Sequence, residues 1–321
     1  MACGKVMESM TLGVLAVFLL ASTAEGTADF TIQDKDTLAV ALNLEYFEAE
    51  FFLFGAYGLG LDHFAAHLAD NGAAPKGGEK ADLDPIVREL VEQFGLQEVG
   101  HIRAIKEALG KEAFPRPHLD FGKDVWAKTF DDAFGYTLDP PFNPYANSVN
   151  YMLASYAIPY VGLTGYTGGA PLLQGAGAKS LAARLLAVEA GQDAAIRTWL
   201  YLVKDKIVKP YEFTVAEATE KLSKLRNKLD GSDEVDDEGL IVPKELGAEE
   251  AVEGNCLAGD KDSLAYSRTP RQIFSVVYAS GDPSKPGGFY PKGGLGRHAL
   301  KYLSTYESVK QTLNPFLDSE L

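Results

Sequence analysis

Apolar side chains recur at three- and four-residue steps in four separate stretches of the chain, the spacing that gathers them on one face of an α-helix. In the first stretch, Asp36 to about Tyr57, the residues Leu38, Leu42, Glu45, Ala49 and Phe52 share a stripe. Gly55, Gly58 and Gly60 predict where that helix ends. The second opens at Asp84-Pro85, an N-cap followed by proline at the first helical position. It continues through Val87, Leu90, Val91, Phe94, Glu98, His101, Ile102 and Ile105 to Leu109-Gly110. A third, very apolar helix fits Ala146 to about Gly162, with Pro159 as a kink or terminal turn. Glycines 165, 168, 169, 175 and 177 read as the following connection. The fourth helix spans Ala178 to about Val208, with Leu181, Leu185, Leu186, Glu189, Ile196, Leu200 and Val203 along its inner side. Residues 111–145, punctuated by five prolines, read as mostly irregular. No strand alternation competes with this pattern, which predicts an all-α, antiparallel four-helix bundle over residues 30–209.

Beyond Pro210 the pattern changes. Thr214-Val215-Ala216-Glu217 has the form of a capping box opening a polar helix to about Leu229. Asp230 to Glu238 reads as a solvated acidic loop, and Thr269-Pro270-Arg271 starts a short helix through Val277. Residues 210–321 are therefore expected to form a partly helical, irregular extension packing on the bundle. At the other end, Lys5 precedes an apolar run from Thr11 to Ala21 that is too short to span a bilayer, followed by small residues. Residues 1–26 thus read as a secretory signal peptide, with the mature protein in the cell wall, another extracellular site, or the vacuole. The mature chain would retain Cys256 alone, so it forms no internal disulfide.

Composition adds exclusions. The 321 residues are 46% hydrophobic and 23% charged, ordinary for a globular protein, but the net charge is −15. That balance opposes binding to nucleic-acid phosphates and to anionic membranes. No later stretch is apolar enough to be a transmembrane span, and a homo-oligomer stays open.

The chemistry concentrates in Glu98-Val99-Gly100-His101, whose two functional side chains lie three apart on an otherwise apolar stripe. Bundles that hold two metal ions draw one Glu from each of two helices and Glu-x-x-His from each of the other two. Glu45 lies twelve residues before the predicted end of its helix, and Glu98 thirteen after the start of the next. An antiparallel hairpin therefore places them at one height. In the fourth helix the matching motif is Glu189-Ala190-Gly191-Gln192, with an amide where imidazole is expected. The third helix has no acid at all: none occurs from Pro140 through Val188. Only Asn147, Asn150, Ser155, Tyr156 and Tyr160 stand as polar replacements there. Glu45, Glu98, His101, Glu189 and Gln192 are thus the candidate metal set, sufficient for one iron, manganese or zinc ion. The alternative is a metal-free polar network joining Glu98, His101, Gln192 and Tyr156. Glu48, a turn from Glu45, is assigned a solvated or capping role, and His63 and His67 a surface one.

Several stretches together resemble the plant desiccation-related proteins with a ferritin-like domain: Asn43 to Phe52, Gln97 to His101, Asn147 to Tyr151, Tyr160 to Tyr166 and Leu186 to Asp193. The resemblance runs from about Asp36 to the C-terminus. It implies a ferritin-like bundle, export from the cytoplasm and a role in water deficit or seed drying. It also implies that Gln192 and the acid-free third helix are family traits, which favours a protective, non-enzymatic protein. A metal-dependent oxidase or iron-binding protein using the incomplete site is the other reading.

Overall fold

The computed structural model describes residues 30–231, 237 and 239–303. The expected signal peptide lies outside the described residues, as do residues 304–321 and most of the acidic stretch after Asp230. Helices are the regular structure of the described residues, and no strand longer than an isolated bridge forms among them.

Helix α1, Ile32–Tyr57, begins at a reciprocal capping box between Thr31 and Asp34. It ends where Gly58 turns left-handed at φ 75°. Helix α2, Pro85–Leu109, starts with proline at its first turn and stops at Gly110. The two run antiparallel, since Lys106 Nζ lies 3.1 Å from Tyr46 Oη at one end while Arg88 Nη1 donates to Ala56 O at 3.1 Å at the other. Helix α3, Lys123–Phe134, occupies part of the region expected to be irregular. The prolines before and after it frame the helix without interrupting it, and Trp126 and Phe130 are fully buried.

The third bundle helix comes in two pieces, α4, Ser148–Ala157, and α5, Pro159–Gly169. Pro159 breaks the chain at Ile158, as expected, but the helix then continues past Gly162. Glycines 165, 168 and 169 belong to α5 and are not a connection. Close packing accounts for them: a Cβ on Gly168 would sit 2.2 Å from Arg268 O, and one on Gly165 2.8 Å from Ile273 Cδ1. Helix α6, Ala176–Leu202, completes the bundle and ends short of the expected Val208.

The later chain supplies α7, Val215–Asp230, with the expected Thr214–Glu217 capping box, then α8, Pro270–Val277, and α9, Arg297–Tyr302. These elements lie against the bundle. Tyr290 Oη donates to Asn43 O at 2.8 Å, and the Asn43 side chain bonds both backbone groups of Leu295. Phe289 packs edge-on against Phe47, with ring centres 5.4 Å apart. In consequence α1 is buried on nearly every side from Leu38 to Leu53.

The acidic stretch after α7 departs from the solvated loop expected. Asp230 and Asp237 are both buried. Asp237 takes a bidentate ion pair from Arg226 at 3.0 and 2.8 Å and a third contact from Arg268 at 2.5 Å. Arg268 also donates to Asp230 at 2.8 Å, and Arg226 to Tyr156 O at 2.7 Å. The cluster fastens the extension to the third bundle helix. Removing one member leaves buried charge uncompensated, which costs about 3–5 kcal/mol. Asp237→Ala should therefore lower unfolding stability by about that amount, measured as the urea midpoint followed by circular dichroism.

Candidate metal centre

Three helices deliver carboxylates to one imidazole. His101 Nδ1, on α2, lies 3.0 Å from Glu45 Oε2 of α1, 3.0 Å from Glu98 Oε2 one turn back, and 3.3 Å from Glu189 Oε1 of α6. One donor atom from each of these four residues falls within 4.8 Å of the others, and all four residues are buried. The equal-height register of Glu45 and Glu98 holds because α1 stops at Gly58 and α2 starts at Pro85.

Gln192 reaches the site through its amide, whose nitrogen donates to Glu98 Oε1 at 2.5 Å and Gln97 Oε1 at 3.1 Å. It orients a carboxylate. The expected partners on the third helix do not arrive. Tyr156 Oη pairs with Ser223 Oγ at 2.6 Å. Asn147 caps α4, Asn150 donates to Asn143 O, and Ser155 donates to Tyr151 O. Tyr160 lies against Arg197 and Arg226, its ring centre 5.7 and 5.1 Å from their guanidinium carbons. His63 and His67 are exposed, as expected.

Two residues outside the candidate set do face the centre. Tyr166, on the stretch of α5 taken for a loop, donates its hydroxyl to Glu45 Oε1. Glu48, assigned a solvated or capping role, is only 2% exposed and feels the charges of Glu189, Glu98 and Glu45. The signal for Tyr166 was its four-residue offset from Gly162 on one helix face, hidden by the run of glycines. For Glu48 the signal was its three-residue offset from Glu45.

The electrostatics are lopsided. Among the described residues no Lys or Arg pairs with Glu45, Glu48, Glu98 or Glu189, and His101 is the one cationic partner. Burial, with the Glu45 charge adding, pushes Glu98 up to about 8 against the pull of His101. Burial and the Glu98 charge raise Glu189 to about 7. Burial, together with Glu189, Glu98 and Glu45, lifts Glu48 well above the usual glutamate value. For His101, burial works downward but is outweighed by Glu45 and by the nearby carboxylates of Glu189 and Glu98, so the imidazole holds its proton well above the ordinary histidine range.

An Nδ1–H carries one hydrogen, whereas three carboxylate oxygens crowd around it, so it cannot satisfy them all. Glu189 Oε1, the farthest, is left without a hydrogen bond. A divalent cation would satisfy this arrangement, since hard carboxylate oxygens with one imidazole suit iron, manganese or zinc. The residues present fit such an ion.

The sequence model of one family, described as a ferritin-like domain, matches residues 33–202, more than half of the chain. The chain belongs to the ferritin-like domain family. This ferritin-like chain is 50% identical over 270 residues to the ferritin-like catalase Nec2 of Nesocodon mauritianus, covering 84% of its own length and 86% of the relative's. It is also 50% identical over 269 residues to the desiccation-related protein PCC13-62 of Craterostigma plantagineum, covering 84% and 85% of the two chains. The resemblance to plant desiccation-related proteins is therefore borne out. No solved structure matches the chain. No helix among the described residues is long and apolar enough to cross a membrane.

The raised acids carry a pH signature. Each binds its proton more tightly folded than unfolded, so its contribution to stability is complete below the ordinary glutamate value of 4.5. That contribution is lost as pH rises through about 7 for Glu189 and about 8 for Glu98. Calorimetry on the chelator-treated protein should show the melting temperature falling from pH 5.5 to 8.5 (chosen to bracket these values). Added Mn²⁺ should raise it more at the upper pH, because metal binding displaces those protons.

Proposed function

We propose that the protein binds redox-active iron or manganese at the Glu45, Glu98, His101 and Glu189 cluster and decomposes hydrogen peroxide there, as a stress-associated protein of the secretory route. One observation carries the metal reading: Glu45, Glu48, Glu98 and Glu189 are all buried, and a single imidazole faces them. Four buried carboxyl groups must either hold protons, as the raised values of Glu48, Glu98 and Glu189 describe, or meet a cation, which weighs against a purely structural polar network. The reaction class comes from the half-identical ferritin-like catalase. The stress setting comes from the desiccation-related relative, and export from the apolar run near the N-terminus.

In peroxide disproportionation one molecule gives up two electrons and two protons to become dioxygen. A second accepts them, its O–O bond breaks, and two waters form. Bound iron or manganese would store the electrons between the two halves; zinc, with no redox chemistry, would not serve. The protein's own groups set the stage. Tyr166 fixes Glu45 through its hydroxyl, and Gln192 fixes Glu98. Beside Tyr166 and Gly162 lies an apolar cavity of about 20 Å³, walled by Leu38, Leu44, Gly165 and Ile273. That is room for one water-sized molecule.

A second reading, a protective protein without catalysis, draws on the desiccation-related relative alone. Metal analysis of the purified full-length protein, paired with oxygen release from peroxide, separates the two. The catalytic reading expects near-stoichiometric iron or manganese and steady oxygen evolution. His101→Ala should remove most of the metal and reduce oxygen release by more than about 10-fold, the loss that even a residue supporting a metal ligand typically brings. Oxygen release unchanged in His101→Ala, or a wild-type protein that takes up no metal, sinks it.

A further inference from the structure

Glycines, not bulky side chains, line the seam where α5 meets α1. We propose that the apolar cavity in this seam is a dry passage for dioxygen between the metal centre and the surface, its width set by Ile273 of the C-terminal extension. The inference rests on the catalytic reading above and deepens it, since dioxygen is the product of that reaction.

Three glycines of α5 meet α1 in antiparallel order. A Cβ on Gly169 would stand 2.9 Å from Thr37 Cγ2, one on Gly165 3.8 Å from Leu44 Cδ1, and one on Gly162 2.6 Å from Glu48 Oε1. Thr37, Leu44 and Glu48 follow one stripe of α1. The seam thus descends from a half-buried threonine to a carboxylate that is 2% exposed. The cavity of about 20 Å³ lies along it. Its outer end has Thr37, Ala170 and Pro270, all at least partly exposed, and its inner end has Gly162 and Tyr166, both buried. Tyr166 ties the cavity to the centre, because the residue that forms the wall also donates its hydroxyl to Glu45. Beyond Gly162 stands Glu48, whose carboxylate no hydrogen bond or ion pair reaches among the described residues.

The walls decide what the space can hold. Of the lining side chains only Thr37 and Tyr166 carry polar atoms, and both hydroxyls are committed, to Gln33 O at 3.0 Å and to Glu45. A buried water makes about three hydrogen bonds, and cavities that cannot supply them stay dry. Hydrogen peroxide meets the same cost. Dioxygen has no proton to donate and no charge, so these walls do not penalise it. Bore is set by one contact: a Cβ on Gly165 would stand 2.8 Å from Ile273 Cδ1, the end of a side chain on α8. Ile273 lies outside the matched family segment, residues 33–202, so the extension supplies this wall.

Dissolved dioxygen is paramagnetic and broadens the methyl resonances it touches, which gives a probe independent of turnover. In the chelator-treated full-length protein under oxygen pressure, the methyls of Leu38, Leu44 and Ile273 should broaden more than those of Val87 and Ile102, which are buried as well. Gly165→Ala, whose added Cβ narrows the passage, should lose the excess at Leu38 and Leu44, and Ile273→Ala should increase it there. In the metal-loaded protein Gly165→Ala should slow oxygen release at unchanged metal content. Circular dichroism checks that both variants remain helical, and the wild-type comparison stands without either. Equal broadening of all five residues in the wild type overturns the passage. So does undiminished oxygen release from Gly165→Ala once its excess broadening is gone. Both results leave the metal centre intact, whereas failure of the catalytic reading shows as absent metal uptake.

Discussion

Everything at the centre of this molecule follows from placing more carboxyl groups in the bundle core than the protein's own cations there can answer. Elsewhere the chain buries ions in matched groups: Arg226 and Arg268 enclose Asp237, and Arg116 meets Glu50. Around His101 that matching stops. The contrast within one structure is informative, because it shows a chain able to neutralise buried acids with guanidinium groups that does not do so around His101. A fold tolerates such an imbalance when the missing charge comes from outside the sequence.

The catalase relative and the desiccation-related relative are equally similar to this chain, and their names describe different things: a reaction and a circumstance. Drying tissue concentrates solutes and oxidants, so the two descriptions are compatible. The electrostatic imbalance belongs to the chain itself and depends on neither name.

How much of this was legible beforehand varied with the physics of each element. Glu45, Glu98, His101 and Glu189 could be placed because three-residue spacing and two well-marked helix ends determine both face and height. Glycine was the main source of misreading. Gly58 ends α1 with positive φ, whereas Gly162, Gly165 and Gly168 serve α5 by letting neighbours approach, and the residue letter alone does not distinguish the roles. Tyr166 was hidden with them. Acids raised the complementary difficulty. Glu48 and Asp237 look solvated in sequence, since most acids are, and their burial depends on partners contributed by distant segments. Helix α3 was missed because prolines at both flanks resemble those of an irregular stretch.

The covering of α1 has an architectural consequence. In an ordinary bundle each helix shows one face to the core and another to water. Here Phe47 is enclosed by Phe121 and by Phe289 and Tyr290 from the C-terminal part of the chain, so the helix carrying Glu45 and Glu48 has no wet side over its middle turns. The later segments act as an outer wall for the innermost helix, most of which lies in the matched family segment, residues 33–202. Cut free, that segment would present an aromatic face to solvent, and the hydrogen bonds that Asn43 donates to Leu295 and accepts from Tyr290 would be gone. Shuffling of this segment into other proteins would have to bring its wrapping along.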